Sequence, residues 1–164
     1  MSRTSLHDWP CSLARAADII GDKWTLVILR NAFYGQTSFS GFQKSLGLAR
    51  NVLSDRLDKL VEHGILVRQP VRPGVARYRY TLTDAGRELF PVIVSLTQWG
   101  DKWLFGSDGE PVRLLDKEQQ APIQKMGVIA RDGRYLQADD VSFAPGPSAS
   151  DELIALWERQ SRPA

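Results

Sequence analysis

Apolar positions fall into blocks whose spacing changes along the chain. From about Cys11 to Ala32, the residues Ala14, Ala17, Ile20, Trp24, Val27 and Ile28 recur mostly at intervals of three and four, which lines one face of a helix. Gly21 interrupts this stripe and Gly35 closes it, which predicts two helical pieces or one bent helix. Phe39, Phe42 and Leu46 repeat in the same way, a short helix with Ser40 as its expected N-cap and Gly47 as its terminator. A second short helix starts near Ala49. Leu53, Leu57, Leu60 and Val61 form its narrow apolar stripe, while Asn51, Asp55, Arg56 and Lys59 are expected to point the other way. Two such helices around a tight turn have the layout of a helix-turn-helix, whose second helix enters a major groove.

The period then shortens. Ile65–Arg68 reads as a strand, Arg72-Pro73-Gly74-Val75 as a turn, and Arg77–Leu82 as a strand alternating basic with apolar side chains. A hairpin directly after a recognition helix is a wing, and its basic tip can meet phosphates or a minor groove. Thr83 is placed to cap a further helix carrying Leu89, Ile93, Leu96, Gly100 and Trp103 on one face, which Pro91 should bend. Val92, Trp99 and Leu104 add more apolar surface than one small domain needs, so a partner chain is expected there. Beyond Glu110, Val112–Leu115 and Gln124–Ala130 read as strands, and Asp132-Gly133 as a hairpin turn before Tyr135-Leu136. Ala144–Ser148 reads as a linker and Asp151–Gln160 as a terminal helix. The expected fold is mainly α with a small β-hairpin wing: a winged helix-turn-helix over residues 1–105, followed by a C-terminal α+β extension over 106–164.

Composition adds bounds. With 164 residues, 43% hydrophobic and 24% charged, the chain should fold around one core with an appendage. No apolar run reaches the ~18 residues of a membrane span, and the start lacks a secretory pattern, so no membrane partner and a cytoplasmic location are expected. Charge is more informative. Between Gln43 and Arg79 eight basic residues face three acidic ones, a net of +5, whereas from Phe105 onward the balance is −3. Such concentration suits a polyanionic partner. Within it, Arg50, Asn51, Arg56 and Lys59 are candidates for base or phosphate contact, since arginine and asparagine pair in bidentate fashion with guanine and adenine. Gln43, Arg72 and Arg77 are candidates for holding the nucleic-acid backbone.

A single cysteine, Cys11, excludes an intrachain disulfide and a cysteine-rich zinc site. It lies near a helix start, where a thiol can gain reactivity, so it is either a redox or electrophile sensor or a small apolar packing residue. His7 and His63 are far apart, and no phosphate-binding glycine loop, nucleophile elbow or paired ligand spacing occurs. No enzyme, cofactor or metal is therefore expected. Trp9, Trp24, Trp99 and Trp103 read as core and interface, or as the lining of a ligand pocket between dimer helices.

Three runs, PCSLARAADIIGDKWTLVILRNAFYG, FSGFQKSLGLARNVLSDRLDKLVEHGIL and YRYTLTDAGRELFPVIVSLTQWGDKW, resemble in order the HxlR-type bacterial regulators, over roughly Pro10 to Leu104. The resemblance implies a dimeric winged helix-turn-helix protein that binds operator DNA and represses or activates nearby genes. It implies a dimer built from the N-terminal helix and the helix after the wing, a recognition helix from near Ala49, and a wing centred on Pro73-Gly74. A cysteine matching Cys11 serves some members as a redox or electrophile sensor. Members often have serine where this chain has Ala49, so the usual N-cap is missing. Some longer members have a similar tail containing cysteines; this chain has none there, which leaves a metal role unsupported. The reading is a homodimeric regulator, by expectation a repressor, on a pseudo-palindromic site in double-stranded DNA, with a small-molecule or electrophile effector as an open partner. The rivals are a winged-helix module that binds only protein, for which the +5 stretch has no use, and a thiol enzyme on Cys11, which lacks a neighbouring base or resolving cysteine.

Overall fold

The computed structural model describes residues 5–106 and 109–160. Helices α1 (Ser12–Ile20) and α2 (Lys23–Phe33) are separated where Gly21 breaks the apolar stripe. The Gly21 amide closes α1 on the carbonyl of Ala17, and a side chain at Gly21 would run into that same carbonyl. Asp22 then starts α2, its Oδ1 accepting the amides of Trp24 at 2.9 Å and Thr25 at 3.3 Å.

Helix α3 (Phe39–Leu46) is capped by Ser38, two residues before the expected Ser40. The cause is a long-range pairing. The Tyr80 amide donates to the Thr37 carbonyl at 2.8 Å and Ser38 bridges Arg79, which holds the backbone extended up to Ser38 and leaves its Oγ to accept the Gly41 amide. Gly47 ends α3 in the left-handed region at φ 63°, and that turn delivers the chain into α4 (Arg50–Glu62). The N-cap of α4 is Ala49, with suitable backbone angles (φ −59°, ψ 143°) but no side-chain bond to offer. Ala49→Ser should therefore stabilise the protein by about 1 kcal/mol, read as a rise of about 3 °C in the thermal midpoint; an unchanged or lower midpoint would contradict this geometry.

Strands β1 (Leu66–Pro70) and β2 (Tyr78–Leu82) pair antiparallel from Leu66–Leu82 out to Pro70–Tyr78. They form the wing. Thr83 caps a single turn, α5 (Asp84–Arg87), after which α6 (Phe90–Gly100) continues into a π-helical segment, Asp101–Phe105. Pro91 does not bend a long helix: it occupies the first turn of α6, where a missing N–H leaves no intrahelical bond unmade. One core joins these elements. Ile28 and Leu29 of α2, Phe42 of α3, Leu53, Leu57 and Leu60 of α4, Leu66 and Tyr80 of the wing, and Ile93 of α6 are all buried together. Because α4 contributes three of them, it cannot shift without disturbing the whole cluster.

In the extension, β3 (Val128–Ile129) and β4 (Tyr135–Leu136) form the hairpin expected across Asp132-Gly133, and α7 spans Asp151–Gln160. The longer strands are not formed. Val112–Leu115 is reduced to one bridge between Leu115 and Pro122, a residue without an amide to continue a ladder. Gln124–Ala130 shortens because the Gln98 side chain captures its start, donating to the Gln124 carbonyl at 3.0 Å and accepting the Met126 amide at 2.7 Å.

Candidate nucleic-acid interface

Helix α4, from its first turn onward, and the wing line an open groove of about 350 Å³. Arg50, Ser54 and Asp58 line one wall, Arg68, Arg77 and Tyr78 the other, with Ser38 and Phe39 at the start of α3 also along it. Arg50 and Asn51 are the first two residues of α4, and both are exposed. The Arg50 guanidinium carbon lies 5.4 Å from the centre of the Phe39 ring, which gives the cation a preferred position without neutralising it. No side chain caps this helix start, so its amides remain free donors at the positive end of the helix dipole.

Across the groove, Arg68 stacks with its guanidinium carbon 3.8 Å from the Tyr78 ring centre and lies 3.9 Å from Asp58 Oδ1. That pairing partly offsets an acidic group on the exposed face of α4. Arg72 and Arg77 are exposed on either side of the wing tip, where Gly74 takes φ 77° and the Val71 amide closes on the Arg77 carbonyl at 2.8 Å. Gln43 is half-buried behind the turn, its Nε2 donating to the Leu48 carbonyl at 3.4 Å.

Two candidates lie elsewhere. Arg56 is expected from its spacing to face outward, but its Nε is 3.1 Å from Asp22 Oδ1 and its Nη1 2.9 Å from Asp55, leaving the side chain 23% exposed. Lys59 donates from Nζ to the Asp18 carbonyl at 2.8 Å, the distance of a strong charge-assisted bond. Both side chains point back across the flank of α4 toward the α1–α2 junction. Burial alone would raise the Asp22 pKa, but the Trp24 amide, the Arg56 charge and the Thr25 amide outweigh it and hold the carboxyl below its ordinary value. The junction thus carries a settled negative charge facing Arg56.

The structure therefore brings Arg50 and Arg77 to one groove, while Asn51 and Arg72 are exposed but do not line it. Ser54, Asp58 and Arg68 belong to the same groove and were not singled out by sequence. Arg68 was visible only as part of the +5 stretch, and Ser54 has no signal of its own. Cys11 is exposed at the N-cap of α1, its Sγ accepting the Ala14 amide at 3.5 Å, and lines no part of this groove.

A second surface is apolar. Val92, Leu96 and Trp99 recur at helical spacing on the solvent side of α6, and Trp103, Leu104 and Phe105 extend it; Trp99 is 57% and Trp103 63% exposed. Of the four tryptophans read as core or interface, Trp24 packs against the core, whereas Trp9, Trp99 and Trp103 stay exposed. No helix among the described residues is long and apolar enough to cross a membrane.

Against known proteins, the model of the HxlR-like helix-turn-helix family matches residues 19–108. Rv3095 of Mycobacterium tuberculosis, an HTH-type transcriptional regulator itself uncharacterised, is 38% identical over 144 residues, 88% of this chain and 91% of its own. The crystal structure of PA1607, described as a candidate transcription factor, is similar with a TM-score of 0.81 and 43% identity, over 87% of this chain and all of that one. The redox regulator HypR in its oxidised form is similar with a TM-score of 0.51 and 28% identity, over 56% of this chain and 95% of that one. These relatives are regulators rather than enzymes, and the shared architecture is a winged helix.

Proposed function

The chain belongs to the HxlR-like helix-turn-helix family of transcriptional regulators, and from that premise we propose that it binds double-stranded DNA as a homodimer on a pseudo-palindromic operator. The observation that carries this reading is the groove lined by α4, from its uncapped, basic start, and by the basic wing. The start of a recognition helix is the part that reaches base edges, so Arg50 and Asn51 read sequence in the major groove. The free amides of the same turn donate to a phosphate. Arg72 and Arg77 hold the adjoining nucleic-acid backbone. Gln43 supports the turn that aims α4. Residues 1–105 carry binding and dimerisation, with 106–164 appended, and the protein works in the cytoplasm. Occupying an operator blocks other proteins from it, so repression is the outcome we assign.

Dimerisation rests on the apolar ridge of α6 and its π-helical continuation. A stable interface needs about 800 Å² from each partner, and exposed tryptophans are the anchors such interfaces use. The test is an in vitro selection of random 30-base-pair duplexes with the full chain. It should enrich an inverted repeat bound by two chains per duplex; enrichment of nothing, or of a site bound by one chain, would overturn the proposal.

A second reading concerns regulation. The Cys11 thiol is exposed and reachable by oxidants or electrophiles, and a similar protein, HypR, is a redox regulator. On this reading Cys11→Ser abolishes any loss of DNA binding caused by hydrogen peroxide or a quinone. Equal responses in parent and variant, measured by anisotropy on the selected duplex, would leave the thiol only its structural role as the α1 N-cap, accepting the Ala14 amide.

A further inference from the structure

The recognition helix is tied to a distant part of the chain by two charged side chains. Arg56 reaches 34 residues back to Asp22, with Nε at 3.1 Å from Oδ1 and Nη2 at 3.5 Å from Oδ2, a two-point grip on one carboxylate. Lys59, three residues further along α4, reaches 41 residues back to the Asp18 carbonyl at 2.8 Å. Asp18 lies in the last turn of α1 and Asp22 is the N-cap of α2. The two contacts therefore straddle the break between those helices. The break is fixed in its turn by Gly21, where a side chain would collide with the Ala17 carbonyl. All three polar side chains are only partly exposed, and the Asp22 carboxylate also holds the first amides of α2.

We infer that Asp22, Arg56 and Lys59 form a clamp that sets the angle at which α4 is presented to DNA, so that Arg56 and Lys59 are positioning residues and not contacts. This rests on the DNA-binding reading and deepens it. Buried leucines fix α4 against the core along one line, but a helix held along one line can still roll about it. The clamp acts to the side of that line and stops the roll, which decides whether Arg50 and Asn51 meet base edges or miss them. It also makes α4 answer to α1: a change in α1 reaches the recognition helix through the Asp18 carbonyl and the Asp22 carboxylate.

A contact and a clamp differ in what they do to salt dependence. Each lost phosphate contact flattens the log–log salt slope by about 0.9, whereas a lost clamp leaves the number of released ions unchanged. The probes are the duplex enriched by in vitro selection and a scrambled duplex of equal length. Arg56→Gln should weaken binding to the selected duplex by roughly two- to thirtyfold, leave the scrambled duplex within about twofold, and keep the slope of the parent. Asp22→Asn is the sharper variant, because asparagine still caps α2. If Arg56 were a phosphate contact, removing one of its two acidic neighbours, with Asp55 left in place, would release it toward DNA and tighten binding; as a clamp, binding weakens as in Arg56→Gln, and the double variant loses no more than either single one. A slope flattened by about 0.9 in Arg56→Gln, tighter binding in Asp22→Asn, or unaltered binding in both overturns the inference. The clamp is read without DNA as well. Hydrogen exchange along α4 should quicken equally in Arg56→Gln, Asp22→Asn and the double variant, and additive effects would overturn it. A parent that binds neither duplex while this coupling persists defeats the DNA reading and leaves the clamp standing.

Discussion

Replacing Leu96 and Trp99 together by glutamate should leave the chain folded but monomeric, and lower its affinity for a two-half-site duplex by about 10²- to 10⁴-fold. Both side chains are exposed on α6, while the core-facing residues of that helix, Ile93 and Val94, are untouched. Charges on an exposed face cost a monomer little, but two of them in a closed apolar interface would sit opposite their symmetry mates without partners. The large loss arises because binding of the second half-site is intramolecular only while the two wings are joined. Sedimentation gives the assembly state and anisotropy the affinity. A variant that remains dimeric would move the interface away from α6, and a monomer that binds as tightly as the parent would remove dimerisation from recognition.

The second large effect is expected from Arg50→Ala combined with Asn51→Ala. Each bidentate pair with a base contributes roughly 1–3 kcal/mol of discrimination, so losing both should cost about 30-fold or more in specific affinity and relax sequence preference at those positions. Arg77→Ala should differ in kind. It weakens selected and scrambled duplexes alike and flattens the salt slope by about 0.9, because a wing cation meets phosphate and not a base. Interchanged behaviour, with Arg77 changing sequence preference and the pair not, would reverse the roles given to helix and wing.

Much of the fold was legible because its signals are local. The spacing of Phe39, Phe42 and Leu46, the glycine at 47 and the stripe Leu53, Leu57, Leu60 placed the helix pair, and the shift to alternation after Ile65 placed the wing. What failed depended on contacts distant in sequence. Ser38 displaces Ser40 as cap because the preceding residue pairs with Tyr80, some forty positions away. Pro91 looked like a kink only while α5 and α6 were read as one helix. Arg56 and Lys59 each adjoin a core leucine, Leu57 and Leu60, so they flank the apolar stripe, where spacing does not decide between solvent and a neighbouring element. The α1–α2 junction, with its acidic residue at 22, decides it. The extension was least legible. Its strands are two residues long, and the side chain that cuts one short, Gln98, lies in α6.

Hydrogen exchange of the full chain with and without the selected duplex tests the presentation of α4 and wing most directly. The uncapped first turn of α4 has amides with no internal partner, and the wing turn around Gly74 is exposed. Both should exchange quickly in the free protein and slow markedly on the duplex, while α7 is unaffected. Slowing confined to α7 or the β3–β4 hairpin, with α4 and the wing unchanged, would contradict the proposed mode of binding.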